Sequence, residues 1–271
     1  MNRAVLLGAT SLIAAFTMLG ASFDAGRPNI SSANAAEAVA AATTTPVERA
    51  EIEKIVREYL VSNPEILMEM QQALEIKQQE EQRLAHLEVI KGAKEAIFNA
   101  SYDGFVGNPD GKTVIVEFYD YNCGYCKRAQ EDMLTLTESD PDLRFVLKEF
   151  PILGPDSQKA SIVSMAFRTL MPERHGEFHN LLIGGQGRAS EDAAIKIALQ
   201  LGVDEDSLRK EMKNPAITAA FAETYDLANK LQITGTPSYV VGNEVVFGAL
   251  GPEVLGQKIA EARACMANAT C

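Results

Sequence analysis

The sequence predicts an α/β domain in which a small sheet is interrupted by a large block of helices and preceded by a separate helical region. Three observations carry this reading. Thr113 to Tyr121 is an apolar run rich in β-branched and aromatic residues, the pattern of a buried strand. A segment with helical character (Lys127 to Ser139) and a second strand-like run (Leu143 to Ile152) follow, and strand–helix–strand implies a right-handed parallel crossover. Residues 156 to about 231 then read as helical throughout, broken at Met171-Pro172, Gly184-Gly185, Leu201-Gly202 and Asn214-Pro215.

At the start of the chain, Met1-Asn2-Arg3 is short and basic, and Ala4 to Ala21 is apolar with only Thr, Ser and Gly as interruptions. With the small-x-small run Ala33-Asn34-Ala35, residues 1–35 read as a secretory signal peptide, a cut after Ala21 being the alternative. No later run approaches the length of a membrane span, so the mature chain is expected to be exported and soluble. The 271 residues carry a formal charge of −12. Such acidity argues against nucleic acid or an anionic membrane as partner.

Residues 36–46 are small, Ala- and Thr-rich, and are expected to form a disordered leader. From Val47 the pattern turns helical, with Ile52, Ile55, Val56, Tyr59 and Leu60 on one stripe. Ser62-Asn63-Pro64 breaks the run, with Asn63 as N-cap and Pro64 as first residue of a second helix. That helix carries Ile66, Leu67, Met70, Ala73 and Leu74, passes through an all-polar stretch from Lys77 to Arg83, and resumes at Leu84, Leu87, Ile90 and Ile97. A helix pair of this size cannot bury its apolar faces alone. The 47–100 region therefore either docks on its own domain or serves as an oligomerisation stalk, with 77–83 as a solvated linker. His86 is expected to be solvated.

The domain proper is expected to span 101–271. Asn108-Pro109-Asp110-Gly111 is a turn into the first strand, Tyr239–Phe247 is a hairpin about Gly242-Asn243, and a last helix runs from Pro252 to about Cys265. Two parallel strands, a long helical insertion and a closing hairpin describe an elaborated thioredoxin fold. At the junction of the first strand and its helix stands Cys123-Gly124-Tyr125-Cys126. Unpaired N–H groups and the helix dipole favour a thiolate at Cys123, and Cys126, one turn on, can attack a mixed disulfide. Half of a zinc site is the other reading, but no second Cys/His pair lies nearby at ligand spacing.

Glu117-Phe118-Tyr119-Asp120-Tyr121-Asn122-Cys123-Gly124-Tyr125-Cys126-Lys127-Arg128, Lys148 to Leu153, and Thr234-Gly235-Thr236-Pro237-Ser238 resemble the DsbA family of periplasmic thiol–disulfide oxidoreductases. The segment from Ile55 to Glu69 is similar to the suppressor-of-copper-sensitivity protein C (ScsC) branch, whose members trimerise through such an extension and can act as disulfide isomerases. The resemblance implies Cys123 as nucleophile, Cys126 as resolving cysteine, and Pro237 in a cis peptide bond that leaves the Thr236 backbone free for an extended substrate chain. It implies Glu117 as a buried proton relay for Cys126, with Lys148 placed to pair with it; a plain strand–strand ion pair is the alternative for these two. The strongest oxidants of the family have His between the cysteines. Gly124-Tyr125 lacks that cation, so a milder potential suited to isomerisation is expected.

The expected function is thus a periplasmic, oligomeric (homotrimeric) disulfide isomerase or reductase acting on disulfide-containing secreted proteins and kept reduced by a DsbD-like membrane reductase. It carries no cofactor beyond its own dithiol. The alternatives are an oxidase that donates its disulfide, and a copper-tolerance protein that binds Cu(I) through reduced Cys123 and Cys126. Cys265 and Cys271 are expected to pin the tail as an intrachain disulfide, with a metal-binding or intermolecular tail as the alternative. His175 and His179 have the spacing of a zinc pair but lie among Phe178, Leu181 and Leu182, which reads as ordinary packing, and Met68 and Met70 read as helix core.

Overall fold

The computed structural model describes residues 46–267. The expected signal peptide, nearly all of the expected leader, and Cys271 lie outside the described residues. In chain order the elements are α1 (Pro46–Ser62), α2 (Ile66–Gly92), α3 (Lys94–Phe98), β1 (Gly104–Gly107), β2 (Thr113–Tyr119), α4 (Gly124–Ser139) and β3 (Leu143–Glu149). There follow α5 (Pro155–Leu170), a 3-10 turn at Pro172–Arg174, α6 (His175–Ile183), α7 (Glu191–Gln200), α8 (Glu205–Glu211), α9 (Pro215–Lys230), β4 (Ser238–Val241), β5 (Glu244–Phe247) and α10 (Pro252–Ala267).

The chain divides into two compact units, one ending at Ile66 and the other beginning at Leu67. In the first, α1 exposes the whole expected stripe: Ile52, Ile55, Val56, Tyr59 and Leu60 are all on the surface. Asn63 does not open the second helix as expected. Its backbone N–H and side-chain amide both donate to the Tyr59 carbonyl, closing α1, and α2 starts only at Ile66.

In the second unit α2 runs unbroken through Lys77–Arg83, since Glu, Gln, Lys and Arg are all good helix formers. Its end does not belong to a separate region. Ile90 and Ile97 are completely buried among Val116, Phe118, Val146, Leu231 and Ile233, so the main domain draws its core from well before residue 101. His86, expected in solvent, is 5% exposed and packs beside Phe247. One turn before Ile90, it lies on the same docked face.

The sheet order is β1-β3-β2-β4-β5, with β2 and β3 parallel and the other pairs antiparallel. Strand β1 carries no strand signal in the sequence, because Gly104-Phe105-Val106-Gly107 puts two glycines in four residues. Gly104 is required by packing: a Cβ there would stand 2.2 Å from two atoms of the His175 ring. One sheet face packs Ile115, Tyr119, Phe145 and Leu147 against α5 and α6 (Val163, Phe167, Phe178), while the other packs Val116, Phe118 and Val146 against α2, α3 and α9. With both faces covered, β2 is apolar almost end to end rather than alternating.

Candidate functional site: a dithiol at a strand–helix junction

Strand β2 delivers the chain to the C-terminal end of the parallel pair, and Cys123 becomes the N-cap of α4. Its extended backbone lets Sγ turn back over the first helical turn, where it accepts from the Cys126 N–H at 3.4 Å. Opposite stands the loop before β4, with a cis peptide bond between Thr236 and Pro237. That loop brings the Thr236 carbonyl to 3.1 Å, and the Cys123 thiol donates to it. Thus Thr236 and Pro237 lie beside the dithiol.

Both thiols are free, and their surroundings separate them. The Cys123 thiol is pulled down to about 5 by hydrogen bonds, first from the Cys126 side chain and then from the Thr236 side chain and the Cys126 and Tyr125 N–H groups, which together outweigh burial. Burial pushes the Cys126 thiol far up, helped by its bond to Cys123 and by the Glu117 charge. The pair is therefore one nucleophile at neutral pH and one thiol in reserve.

Glu117 lies beneath them, 3% exposed. Burial and then the Cys123 charge raise its carboxyl to about 8, and a hydrogen bond to Tyr239, its cross-strand neighbour on β4, offsets part of this. The expected pairing with Lys148 is wrong. In the parallel register Glu117 stands opposite Leu147 and Lys148 stands opposite Phe118, so the two side chains leave the sheet on opposite faces. Lys148, fully buried, instead donates to Asp103 at 2.6 Å, directly before β1, with the Tyr102 ring 5.1 Å away. It is a structural ion pair on the far side of the sheet from the cysteines.

Two residues that the sequence reading passed over shape the loop. Asp120 accepts from the Asn122 and Leu153 N–H groups, each at 2.8 Å, and its carbonyl accepts from the Cys123 N–H. The Asn122 amide donates to Ser157 Oγ and the Ala189 carbonyl and accepts from the Ala189 N–H. The nucleophile's loop is thereby braced against the helical insertion. Asp and Asn one and three residues after the strand are turn-forming types, which is the signal that was available; their distant partners were not legible.

The remaining candidates lie elsewhere. His175 and His179 are buried in the core and burial drives both down to about 3; His175 Nε2 meets Ser164 Oγ at 3.0 Å, and the His179 ring stands edge-on to Tyr119. Met68 and Met70, expected in a helix core, are both more than 60% exposed, since among the described residues nothing covers this part of α2. Cys265 is disulfide-bonded.

Residues 114–260, more than half of the chain, match the DSBA-like thioredoxin domain. The chain belongs to that family. Residues 48–81 match the copper resistance protein ScsC N-terminal domain. A thioredoxin-like oxidoreductase from Silicibacter pomeroyi is 37% identical, with 63% of this chain and 97% of that one covered and a TM-score of 0.59. A linker-deletion variant of Proteus mirabilis ScsC is 25% identical over 83% of this chain and 99% of that one, with a TM-score of 0.62. Thiol:disulfide interchange protein DsbA of Pseudomonas syringae is 27% identical over 53% of this chain and 70% of its own length. The chain also matches Na(+)/H(+) antiporters of Salinispora, of which it spans only 24% of the length. Family and fold are thus those of a DSBA-like thioredoxin domain preceded by a segment that matches the ScsC N-terminal domain.

Proposed function

We propose that the protein is an oligomeric disulfide isomerase and reductase of the periplasm, working through Cys123 and Cys126. The asymmetry of the dithiol, with Cys123 drawn down to about 5 beside a Cys126 pushed far up, supports thiol–disulfide exchange, and the observation that carries the isomerase branch of it is the exposed apolar stripe of α1. Cys123 attacks a substrate disulfide as the thiolate, and the displaced substrate sulfur leaves as a thiolate. Either that thiolate then attacks a different substrate sulfur, which isomerises, or Cys126 attacks Cys123 and releases a reduced substrate. Pro237 and Thr236 form the wall along which an extended substrate backbone lies.

Glu117 fits the second branch by its electrostatics. Its carboxyl is held up partly by the Cys123 charge. Once Cys123 is in a mixed disulfide that charge is gone, the carboxyl falls, and more of Glu117 is ionised at neutral pH and able to accept the Cys126 proton when that proton must leave.

Oligomerisation is supported by the exposed apolar stripe of α1 and by the ScsC-type match over 48–81. Linked sites raise the effective concentration of thiols around one misfolded chain. An isomerase must be kept reduced, which calls for a membrane electron donor of the DsbD type. No helix among the described residues is long and apolar enough to cross a membrane.

The acidity of Cys123 favours a second reading, because a stabilised thiolate makes its disulfide a stronger oxidant. A value of about 5 lies between an ordinary thiol at ~8.5 and the ~3.5 of the strongest oxidants. Refolding of a scrambled-disulfide protein separates the two readings. The full mature chain, held reduced, is compared with a chain beginning at Leu67, the unit boundary, because a later start would remove Ile90 and Ile97 from the core. Unscrambling by the full chain alone supports an isomerase assembled by α1; inactivity of both chains, with fast oxidation of a reduced peptide by the disulfide form, supports the oxidase. The dithiol also offers two soft donors for Cu(I), and a Cys126→Ser variant that still bound the metal would exclude that use of the pair.

A further inference from the structure

We propose that Arg128, stacked on Tyr125, is a specificity-determining residue that selects substrate disulfides flanked by acidic side chains. The inference rests on the exchange reading above and supplies its substrate class. Helix α4 turns Cys126, Ala129 and Met133 inward and leaves Gly124, Tyr125 and Arg128 in solvent over its first two turns, which follow directly on the nucleophile. Tyr125 is 60% exposed, and the Arg128 guanidinium lies over its ring, Cζ 4.3 Å from the ring centre.

Local helix physics would send this arginine elsewhere. Glu131 and Asp132 stand three and four residues along the same helix, the usual partners of a helical cation. Arg128 forms no ion pair with either or with any other carboxylate among the described residues; its short contact there is the ring. Its neighbour Lys127 behaves differently, with Nζ donating to the Gly185 and Gly187 carbonyls. Lys127 thus holds the loop between α6 and α7 in place, while Arg128 keeps its fork of N–H donors open toward solvent, held by the ring in a fixed plane.

Nor is Arg128 needed to make the nucleophile. The groups that stabilise the Cys123 thiolate are hydrogen-bond donors from Cys126, the Thr236 side chain and the Tyr125 N–H. What the guanidinium adds is a local positive charge on the exposed start of α4, five residues after Cys123, on a chain of net charge −12. A substrate whose sulfur reaches Cys123 must lay its flanking side chains over this turn or along the Thr236 wall opposite. A carboxylate over the turn meets a planar, open guanidinium; a lysine there meets repulsion. In the step concerned the Cys123 thiolate attacks one sulfur of the substrate disulfide. A new S–S bond forms as the old one breaks, the displaced sulfur leaves with the electron pair as a thiolate, and no outside oxidant enters.

The test uses the reduced full chain and three peptide disulfides that are identical except for Glu, Gln or Lys on both sides of the cysteine. Rates of mixed-disulfide formation are normalised to the rates of the same peptides with dithiothreitol. The wild type is expected to prefer Glu over Lys by about tenfold at low ionic strength, shrinking toward unity in 1 M salt. R128Q is expected to collapse the ratio, R128E to invert it, and R128K to keep part of it, while the Cys123 thiolate titration by ultraviolet absorbance stays in place. An equal Glu-to-Lys ratio in wild type and R128Q overturns the proposal, as does a ratio change that merely follows a displaced thiolate titration. A wild type that exchanges with none of the three peptides overturns the exchange reading and this inference with it.

Discussion

Replacing Cys123 with Ser removes one ionisation from the reduced protein, and the structure sets what that ionisation contributes. The thiol is drawn from 9.0 down to about 5 by folding. A depressed value means that the unfolded chain binds the proton more tightly, so the contribution is full above the unfolded value and is lost as pH falls through 5. At pH 7, linkage between 9.0 and about 5 gives about 2.7 kcal/mol of stability to the reduced form; at pH 4 the same expression gives less than about 0.1 kcal/mol. Reduced wild type and Cys123→Ser are unfolded in urea at both pH values with excess phosphine reductant. Comparing the two proteins at each pH cancels the shared titrating groups remote from Cys123, and making the comparison in a Glu117→Gln background removes the one carboxyl that the Cys123 charge raises. The expected deficit of the variant is about 2.7 kcal/mol at pH 7, nearly vanishing at pH 4 beyond any fixed cost of the substitution. A deficit that is the same at both pH values, or a pH-dependent part below about 1 kcal/mol, would refute the claim that hydrogen bonds hold a thiolate at this N-cap.

Other perturbations address the surroundings of the dithiol. Glu117→Gln is expected to slow release of a preformed Cys123 mixed disulfide by Cys126 at least tenfold, measured by quenched-flow and mass, with initial attack by Cys123 little changed. Lys148→Met strands the buried Asp103 carboxyl and is expected to cost about 3–5 kcal/mol in urea unfolding, most of it regained in Lys148→Met/Asp103→Leu. Neither change should alter the pH profile of exchange at Cys123; an altered profile would contradict the placement of Lys148 on the opposite face. Gly104→Ala drives a methyl into the His175 ring and is expected to lower stability by about 1–3 kcal/mol, read as a lower Tm.

Much of this protein was determined by local sequence. Apolar β-branched runs can only be buried strands, Gly and Pro punctuate the helical insertion, and two cysteines spaced across the first turn of a helix must share its N-terminal end. The site's two walls were also local properties, each legible within a few residues: Cys123-Gly124-Tyr125-Cys126 on one side and Thr236-Pro237 on the other. What local sequence could not fix was side. Whether Lys148 meets Glu117 depends on a single step of strand register, and that step sends it across the sheet to Asp103. Whether His86 is wet depends on α2 laying its last turns on the sheet, where Ile90 and Ile97 find the apolar face of β2 and β3. Strand β1, with half its residues glycine, forms because β3 offers it an unpaired edge, and the braces of Asp120 and Asn122 exist only once Leu153, Ser157 and Ala189 have been folded against them. Propensity and spacing act within a few residues and were readable. Register, docking and long-range hydrogen bonds are choices between faces and partners far apart in the chain, and only the folded core makes them.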